Sequence, residues 1–334
     1  RFYGQLRTEL KSQELICGKP IAITLSGGAL ITEEHTDVHT VMTGLSYTLS
    51  RSKHEYHGEL VFFDNSGQGS GRDNLELLET LRHCVLNGCK GFYLVYQPII
   101  RVADEKISGM EALLRWKGGN YGEVPPGVFI PWLENDACFY ELGNWILERA
   151  LRESKPIVEV MPEFIVNVNV AYPQMERPGF LDALRDILQK EGFPPGNQCI
   201  ELTERCRTLE QDYLTNQVKR MKEMGIQVAL DDFGTGFSSL NVLSYLPVDT
   251  LKIDRGFVSD IANKHANQVI VRSVSQCAND LGVKVCMEGI ENRQLVDFLR
   301  PYGAGTYQGY YFSRPISIEE LKEKYITQLS AKEE

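Results

Sequence analysis

Residues 227–254, QVALDDFGTGFSSLNVLSYLPVDTLKID, contain two short apolar runs that both lead into charged residues. The first run is followed by Asp231 and Asp232, and the second carries Lys252. Short apolar runs of this length are typical of strands buried on both faces of a parallel sheet. The stretch therefore predicts buried strands with charged groups near their carboxyl ends.

The same pattern repeats on both sides of this stretch. Eight strand-like runs follow one another along the chain, at 92–98, 107–114, 164–170, 198–203, 227–230, 250–253, 284–287 and 306–310. Helical patterns separate most of them, at 140–152, 180–191, 212–224, 266–281 and 293–299. Eight alternating units predict an α/β fold of the (β/α)8 TIM-barrel type, with a doubly wound open sheet as the structural alternative.

A Gly- and Ser-rich stretch, residues 65–73, separates the barrel from a shorter segment and predicts a linker. The domain prediction is therefore a small α/β segment over residues 1–64, the linker, and the barrel over 74–334. Helical patterns are expected at 2–11, 38–50 and 75–86, and strands at 21–26 and 59–63.

The composition limits the kind of partner. The chain has 334 residues, of which 43% are hydrophobic, and a formal net charge of −10. Polymeric nucleic acid is therefore an improbable partner, because duplex binding needs clustered cations. A small phosphodiester is not excluded, since a metal ion can supply positive charge that the protein lacks.

The cysteines and the apolar runs indicate a cytoplasmic compartment. Eight cysteines stand at irregular spacing and match no zinc pattern. The sequence contains no secretory leader and no apolar run of the ~18–20 residues that a membrane span needs. The chain lacks an initiator Met and starts inside a helical pattern, so we expect a piece of a longer protein. A membrane-anchored parent with an upstream sensor stays open.

Polar residues at strand ends are the main functional signal. One carboxylate at a strand end is commonly a solvated terminus or a helix cap. Consecutive strands that all share this feature predict a shared site, because the carboxyl ends of barrel strands meet on one face. The residues concerned are Glu111, Asn167, Asn169, Glu201, Glu204, Asp231, Asp232, Lys252, Glu288, Glu291 and Gln308.

So many carboxylates on one face require a cation, because like charges in contact repel or raise one another's pKa. Oxygen ligands suit Mg²⁺ or Mn²⁺, and five of the six histidines precede the barrel. Two such ions can clamp the oxygens of an in-line phosphoryl displacement. A proton-abstracting barrel of the enolase type, with Lys252 as base, is the alternative that these residues leave open.

At these positions the sequence resembles the EAL family. The matching segments are YQPII from Tyr96, EALLRW from Glu111, VNVNV from Val166, ELTE from Glu201, DDFGTGFSSL from Asp231, LKIDR from Leu251, EGIE from Glu288 and QGYYFSRP from Gln308. The resemblance covers roughly residues 74–326 and implies hydrolysis of cyclic-di-GMP to linear pGpG. It also implies that the first barrel strand is antiparallel.

The resemblance assigns roles residue by residue. It implies metal ligation by Glu111, Asn167, Glu201, Asp231, Asp232 and Glu288. Catalytic roles fall to Glu288 as general base, to Lys252 beside the attacking water, and to Asp232. Substrate contacts fall to Gln97, Arg115, Leu113, Gln308 and Glu291, and Glu204 would position the DDFGTGF loop. One or two Mg²⁺ or Mn²⁺ ions would be bound, and Ca²⁺ would inhibit because its shell is larger and looser.

Some positions depart from the family pattern. Asn169 stands where Ser is usual, Arg205 and Cys206 follow ELTE, and Gly305 replaces a usual Asp. None is an implied metal ligand, so an inactive cyclic-di-GMP receptor is the weaker alternative. Residues 1–64 resemble the back half of a GGDEF domain without its signature. The family also suggests a homodimer, which no sequence feature demands.

Overall fold

The computed structural model describes residues 2–12, 15–16, 19–20, 25–32, 38–54, 59–63, 71–202, 210–234 and 240–326. The chain divides into two compact units, Arg1–Gly91 with Lys117–Phe139, and Phe92–Trp116 with Tyr140–Glu334. The first unit extends past residue 74, the predicted start of the barrel domain, and also includes residues 117–139, while the domain assignment itself stays a prediction.

The described α-helices, in chain order, are α1 Phe2–Ser12, α2 Val38–His54, α3 Gly71–Leu86, α4 Pro126–Leu133, α5 Phe139–Val160, α6 Tyr172–Glu176, α7 Phe180–Glu191, α8 Gln211–Glu223, α9 Val242–Tyr245, α10 Arg255–Val258, α11 His265–Asp280, α12 Arg293–Leu299 and α13 Ile318–Leu321. Short 3₁₀ helices lie at Gly119–Tyr121, Pro195–Asn197 and Arg300–Tyr302. A π-helical turn, Lys322–Ile326, follows α13.

The described strands are β1 Leu15–Ile16, β2 Lys19–Pro20, β3 Gly27–Ala29, β4 Leu60–Phe62, β5 Phe92–Arg101, β6 Ile107–Gly118, β7 Gly122–Val124, β8 Ile165–Val170, β9 Gln198–Leu202, β10 Gln227–Phe233, β11 Thr250–Ile253, β12 Lys284–Met287 and β13 Thr306–Gln308. Five of them match the sequence expectation to within one residue at each end: β4, β8, β9, β11 and β12.

The first unit is built on a parallel pair of short strands, β3 and β4, covered by α2. The strand expected at 21–26 is wrong at residues 25 and 26, since β3 begins at Gly27. Residues 21–24 lie outside the described residues. Gly28 explains the position of β3, because a Cβ there would lie 2.7 Å from the backbone nitrogen of Leu49 in α2. Glycine thus permits close contact between strand and helix.

The second unit is a closed barrel of eight strands, in the order β5-β13-β12-β11-β10-β9-β8-β6, with β5 paired to β6. β5 is antiparallel to both neighbours, and the other adjacent strands are parallel. The predicted TIM-type barrel with an antiparallel first strand is therefore confirmed. The strands are largely buried, as in β9, where every residue is buried.

Several element ends differ from the sequence expectation. β5 and β6 extend to Arg101 and Gly118, and β13 ends at Gln308. α3 begins at Gly71, within the stretch expected to be a linker, and residues 64–70 lie outside the described residues. Within the described part of the chain, no helix combines the length and apolarity that crossing a membrane requires.

Candidate functional site

The barrel strands bring polar side chains together near the carboxyl ends of the parallel strands. Strand pairing sets Glu111 of β6 beside Asn167 of β8, and Asn169 of β8 beside Glu201 of β9. Five carboxylates form the acidic cluster, in which the ligand atoms of each of two overlapping triplets lie within 4.8 Å of one another: Glu111, Glu201 and Asp231, and Asp231, Asp232 and Glu288.

Lys252 of β11 lies at the centre of the acidic cluster and is 1% exposed. Its Nζ lies 2.8 Å from Glu288 Oε1 and 2.9 Å from Glu201 Oε2. It also lies 3.2 Å from Glu111 Oε2 and 3.3 Å from Asp231 Oδ1. Burial opposes the charged form, but these four carboxylates raise the pKa of Lys252 well above its ordinary value. The side chain is therefore held as an ammonium ion.

A β-bulge orients the two adjacent aspartates. The pairing of β10 with β11 shifts between Leu230 and Phe233, and Asp232 has a φ of 54°. Adjacent side chains of a regular strand point to opposite faces, whereas a bulge re-aims one of them. Asp231 and Asp232 can therefore both belong to one ligand triplet. The sequence prediction ended this strand at residue 230 because the apolar run stops there, and that end is wrong.

The pKa values show that one ammonium does not balance this much negative charge. Burial raises the pKa of Glu288 to about 8, and burial together with Asp231 raises the pKa of Asp232 to about 6. Burial and the neighbouring Glu111 raise the pKa of Glu201 well above its ordinary value. Burial is the largest influence on Glu111 and acts in the same direction, but Lys252 and the hydrogen bonds from Gln308 and Asn169 together outweigh it, so the pKa of Glu111 is lowered.

Two amides connect the cluster to β5. Gln308 Nε2 donates to Glu111 Oε2 at 2.6 Å and to Gln97 Oε1 at 3.1 Å. Gln97 Nε2 in turn donates to the backbone carbonyl of Ser313 at 3.2 Å. Each group in this amide relay is buried, so its hydrogen bonds fix its orientation.

The residues present fit a divalent cation. Glu201 is fully buried, and its Oε1 has no hydrogen-bond partner within the described residues. An unpaired buried carboxylate oxygen is costly unless it serves as a ligand. The donors are carboxylates without histidine or cysteine, which suits Mg²⁺ or Mn²⁺. Asn167 Nδ2 donates to the Met110 carbonyl at 3.2 Å, so Oδ1 is the atom that could add to this set.

Other predicted site residues lie outside the cluster. Arg115 and Leu113 are half-buried on β6 and share the strand face of Glu111, and the Arg115 guanidinium donates to the Leu114 carbonyl at 2.7 Å. Glu291 is exposed, three residues after Glu288. Glu204 lies outside the described residues, as does most of the glycine-rich loop after Asp232.

Sequence reasoning missed the roles of two groups. Asn169 Nδ2 donates to Glu111 Oε1 at 2.7 Å, so it orients a cluster carboxylate instead of being a neutral departure from the family pattern. Its spacing of two from Asn167, which places both on one strand face, was the available signal. The Ser313 carbonyl, which accepts a hydrogen bond from Gln97, could not be found from the sequence, because a hydrogen bond to the backbone does not require a particular residue type.

The fold and the cluster define an α/β-barrel protein with a carboxylate-rich site at the strand ends. The profile of the EAL domain family matches residues 78–315, which is more than two thirds of the chain. The chain belongs to the EAL domain family. The match does not reach residues 1–64, so their likeness to a GGDEF domain stays a prediction.

The chain is similar to proteins that are named as cyclic di-GMP phosphodiesterases. It is 29% identical over 284 residues to the bifunctional diguanylate cyclase/cyclic di-GMP phosphodiesterase MucR of Pseudomonas aeruginosa, covering 85% of this chain and 41% of the relative. It is 30% identical over 321 residues to the cyclic di-GMP phosphodiesterase NbdA of the same organism, covering 96% and 41%. The chain therefore spans about two fifths of the length of these relatives.

The fold is also similar to that of a solved structure, the PaMucR phosphodiesterase in complex with c-di-GMP. The TM-score is 0.69 at 30% sequence identity, over 73% of this chain and 99% of that chain. About three quarters of this chain thus corresponds to nearly the whole of that structure.

Proposed function

We propose that the barrel hydrolyses cyclic di-GMP to the linear dinucleotide pGpG. The observation that carries the proposal is the acidic cluster itself, in which five carboxylates and Lys252 meet at the strand ends of an EAL-domain barrel. The names of two relatives and the ligand of the PaMucR structure support this choice of substrate.

The two triplets of the acidic cluster would hold divalent cations, with Mg²⁺ or Mn²⁺ as our proposal. Glu111, Asn167, Glu201 and Asp231 would bind the first, and Asp231, Asp232 and Glu288 the second. When bound, such ions polarise a phosphoryl oxygen and lower the pKa of water. Ca²⁺ would inhibit, because its looser shell misplaces the reacting groups.

The residues of the chain would then handle the proton and the substrate. A water oxygen attacks phosphorus and Glu288 accepts its proton. The P–O3′ bond breaks, and the leaving O3′ oxygen takes a proton from solvent, which gives a 5′-phosphate and a 3′-hydroxyl. Burial favours the protonated form of Glu288, which suits a carboxylate that must take up a proton. Lys252, held charged, would stabilise the negative charge that develops on the phosphoryl group.

Substrate contacts would come from the residues around the cluster. Arg115 suits a phosphate, because a guanidinium binds two of its oxygens at once. Gln97 and Gln308 would offer amide groups from the relay, while Leu113 would add apolar contact and Glu291 a hydrogen-bond acceptor. Glu204 would position the loop after Asp232.

The enolase-like alternative is disfavoured by the surroundings of Lys252. A lysine acts as a general base only in its neutral form, which needs a lowered pKa. Four carboxylates within 3.3 Å of its Nζ have the opposite effect. Proton abstraction by this residue therefore has no support in the cluster.

Incubation of the purified chain with cyclic di-GMP and Mg²⁺, Mn²⁺ or Ca²⁺, followed by chromatography, tests the proposal. We expect pGpG with Mg²⁺ and Mn²⁺, little or none with Ca²⁺, and none from Glu111→Ala or Glu288→Ala at unchanged circular dichroism. Binding of cyclic di-GMP without pGpG under all three conditions would instead identify an inactive receptor. Retained wild-type rates in either variant would refute the assigned roles.

Three wider expectations remain proposals. A homodimer rests on the resemblance to the family. A cytoplasmic location rests on the cysteine spacing and the apolar runs, and an upstream sensor or membrane region in the parent protein is an open possibility for a longer chain. Sedimentation of the chain and a study of the full-length parent are the measurements that address them.

A further inference from the structure

The segment Gly309–Ser317, which follows β13, is fixed to several parts of the barrel unit. Tyr311 N donates to the Ile290 carbonyl at 2.9 Å, next to the Glu288 loop. Tyr96 and Ile316 exchange two backbone hydrogen bonds, at 2.7 and 3.0 Å, as an antiparallel bridge beside Gln97. We call Gly309–Ser317 the closing segment, because it joins β5 to the loop after β12.

The closing segment sets the direction of the amide relay. The Ser313 carbonyl can only accept, so it selects the NH₂ end of Gln97. The oxygen of Gln97 must then accept from Gln308, whose NH₂ group also donates to Glu111 at 2.6 Å. One backbone carbonyl thereby determines how two buried amides face a carboxylate of the cluster. A displaced Ser313 would leave the Gln97 amide free to flip.

The carbonyl next to Ser313 is held by the C-terminal turn. Lys324 Nζ and Tyr325 OH both donate to the Phe312 carbonyl, at 3.1 and 3.0 Å. These two residues are adjacent in the π-helical turn Lys322–Ile326. Single π-turns are rare and occur frequently at functional sites. A capping box between Ser317 and Glu320 fixes the start of the helix that leads into the turn.

We propose that Lys324 and Tyr325 are positioning residues for the reaction, acting through the Phe312 carbonyl and the closing segment on Gln97, Gln308 and Glu111. The proposal rests on the proposed function in one respect, since its effect on kcat and KM is measured with cyclic di-GMP as the substrate. Neither residue touches the acidic cluster in the described part of the chain. They keep the relay in the orientation in which the Gln97 amide donates to the Ser313 carbonyl and the Gln308 amide donates to Glu111.

The test compares the wild type with Tyr325→Phe, Lys324→Met and the double variant. Glu323→Gln is the matched control, because it neutralises a charge in the same turn at an exposed residue that is not one of the two donors to the Phe312 carbonyl. Lys324→Arg, which keeps a donor, is the conservative rescue. The readouts are kcat and KM for cyclic di-GMP, and the side-chain amide signals of ¹⁵N-glutamine, assigned with Gln97→Met and Gln308→Met.

We expect the double variant to shift the Gln97 and Gln308 amide signals and to raise KM about fivefold, the size of one neutral hydrogen bond. kcat should stay within about twofold, and Glu323→Gln and Lys324→Arg should match the wild type. Unmoved amide signals would overturn the proposal, as would a lower kcat at unchanged KM, which indicates loss of folded protein. Absence of turnover in the wild type would defeat the proposed function instead, and the amide signals would still decide the positioning role.

Discussion

Lys252 is a single buried cation that contacts four carboxylates. Its four carboxylate neighbours lie within 3.3 Å, and Glu201 and Glu288 are the two closest. A buried ion pair is weak grounds for stability, but removal of one partner leaves uncompensated buried charge. Lys252 should therefore affect the stability of the metal-free protein, separately from its proposed catalytic role.

Lys252→Met should destabilise the metal-free protein by about 3–5 kcal/mol, because the carboxylates lose their only close cation among the described residues. Urea unfolding in EDTA measures the change. Lys219→Met on the exposed face of α8 is the control and should fall within about 0.5 kcal/mol of the wild type. Equal stability of the two variants would contradict the ion-pair argument. Mg²⁺ should recover part of the loss in Lys252→Met.

Glu201→Gln should separate function from stability. The amide has nearly the same shape but cannot ligate as an anion, so we expect turnover to fall at least about 100-fold. At pH 8 the metal-free variant should be at least as stable as the wild type. Burial and the charge of Glu111 both disfavour the ionised form of Glu201, as its raised pKa shows, and a neutral glutamine avoids this cost. Thermal unfolding in EDTA measures this, with Glu223→Gln on α8 as control. Marked destabilisation would show that Glu201 is mainly a partner of Lys252.

Among the elements, β10 carries a feature that residue types alone do not reveal. Its bulge lies between Leu230 and Phe233 and forces Asp232 into the left-handed region at a φ of 54°. Non-glycine residues adopt this region at a cost that the surrounding structure must offset, and such positions cluster at functional sites. The bulge therefore allows the adjacent Asp231 and Asp232 to belong to the same ligand triplet.

Asp232→Val should be less stable than Asp232→Gly by about 2 kcal/mol, because a β-branched residue resists the left-handed conformation that glycine accepts. The same pair of substitutions at Asp186, on the exposed face of α7, is the control. There valine should equal or exceed glycine in stability. Urea unfolding of the four variants measures the comparison. Equal stabilities of the two variants at position 232 would indicate that the bulge relaxes without cost.

The elements also show where sequence patterns succeed. Runs such as 250–253 and 284–287 are apolar and buried along most of their length, so their limits follow from composition. β10 continues past its apolar run because backbone pairing does not depend on side-chain polarity. The strand at Gly27–Ala29 has little apolar signal, since it is set by close contact with α2. Sequence patterns therefore predict the positions of regular strands better than they predict irregular features such as the bulge in β10.

At the scale of the whole molecule, barrel closure turns distant positions into neighbours. Glu111 and Glu288 are separated by most of the barrel sequence, yet both lie within hydrogen-bonding distance of Lys252. The rule that strand ends share one face made this gathering predictable. The amide relay and the contacts of the C-terminal turn were not predictable, because they depend on backbone carbonyls at Ser313 and Phe312.

The acidic cluster should also make the stability of the whole protein depend on pH. Burial raises the pKa of Glu288 from 4.5 to about 8 and that of Asp232 from 3.8 to about 6. Between roughly pH 4.5 and 8 the folded protein therefore keeps protons that the unfolded chain has released. More protons bound in the folded state mean that stability falls as pH rises through this window. Above about pH 8 both states are deprotonated and this contribution stays constant.

Thermal unfolding at pH 5.5, 7.0 and 8.5 measures this dependence. In EDTA we expect the contribution of Glu288 to decline by on the order of 3 kcal/mol across the series. Saturating Mg²⁺ should flatten the decline, because a cation binds the deprotonated carboxylates and its stabilisation grows with pH. Glu288→Gln in EDTA is the control, since it removes the titrating group and should reduce the slope. A slope identical to that of the wild type would mean that Glu288 is already ionised in the metal-free fold, and that Lys252 alone balances it.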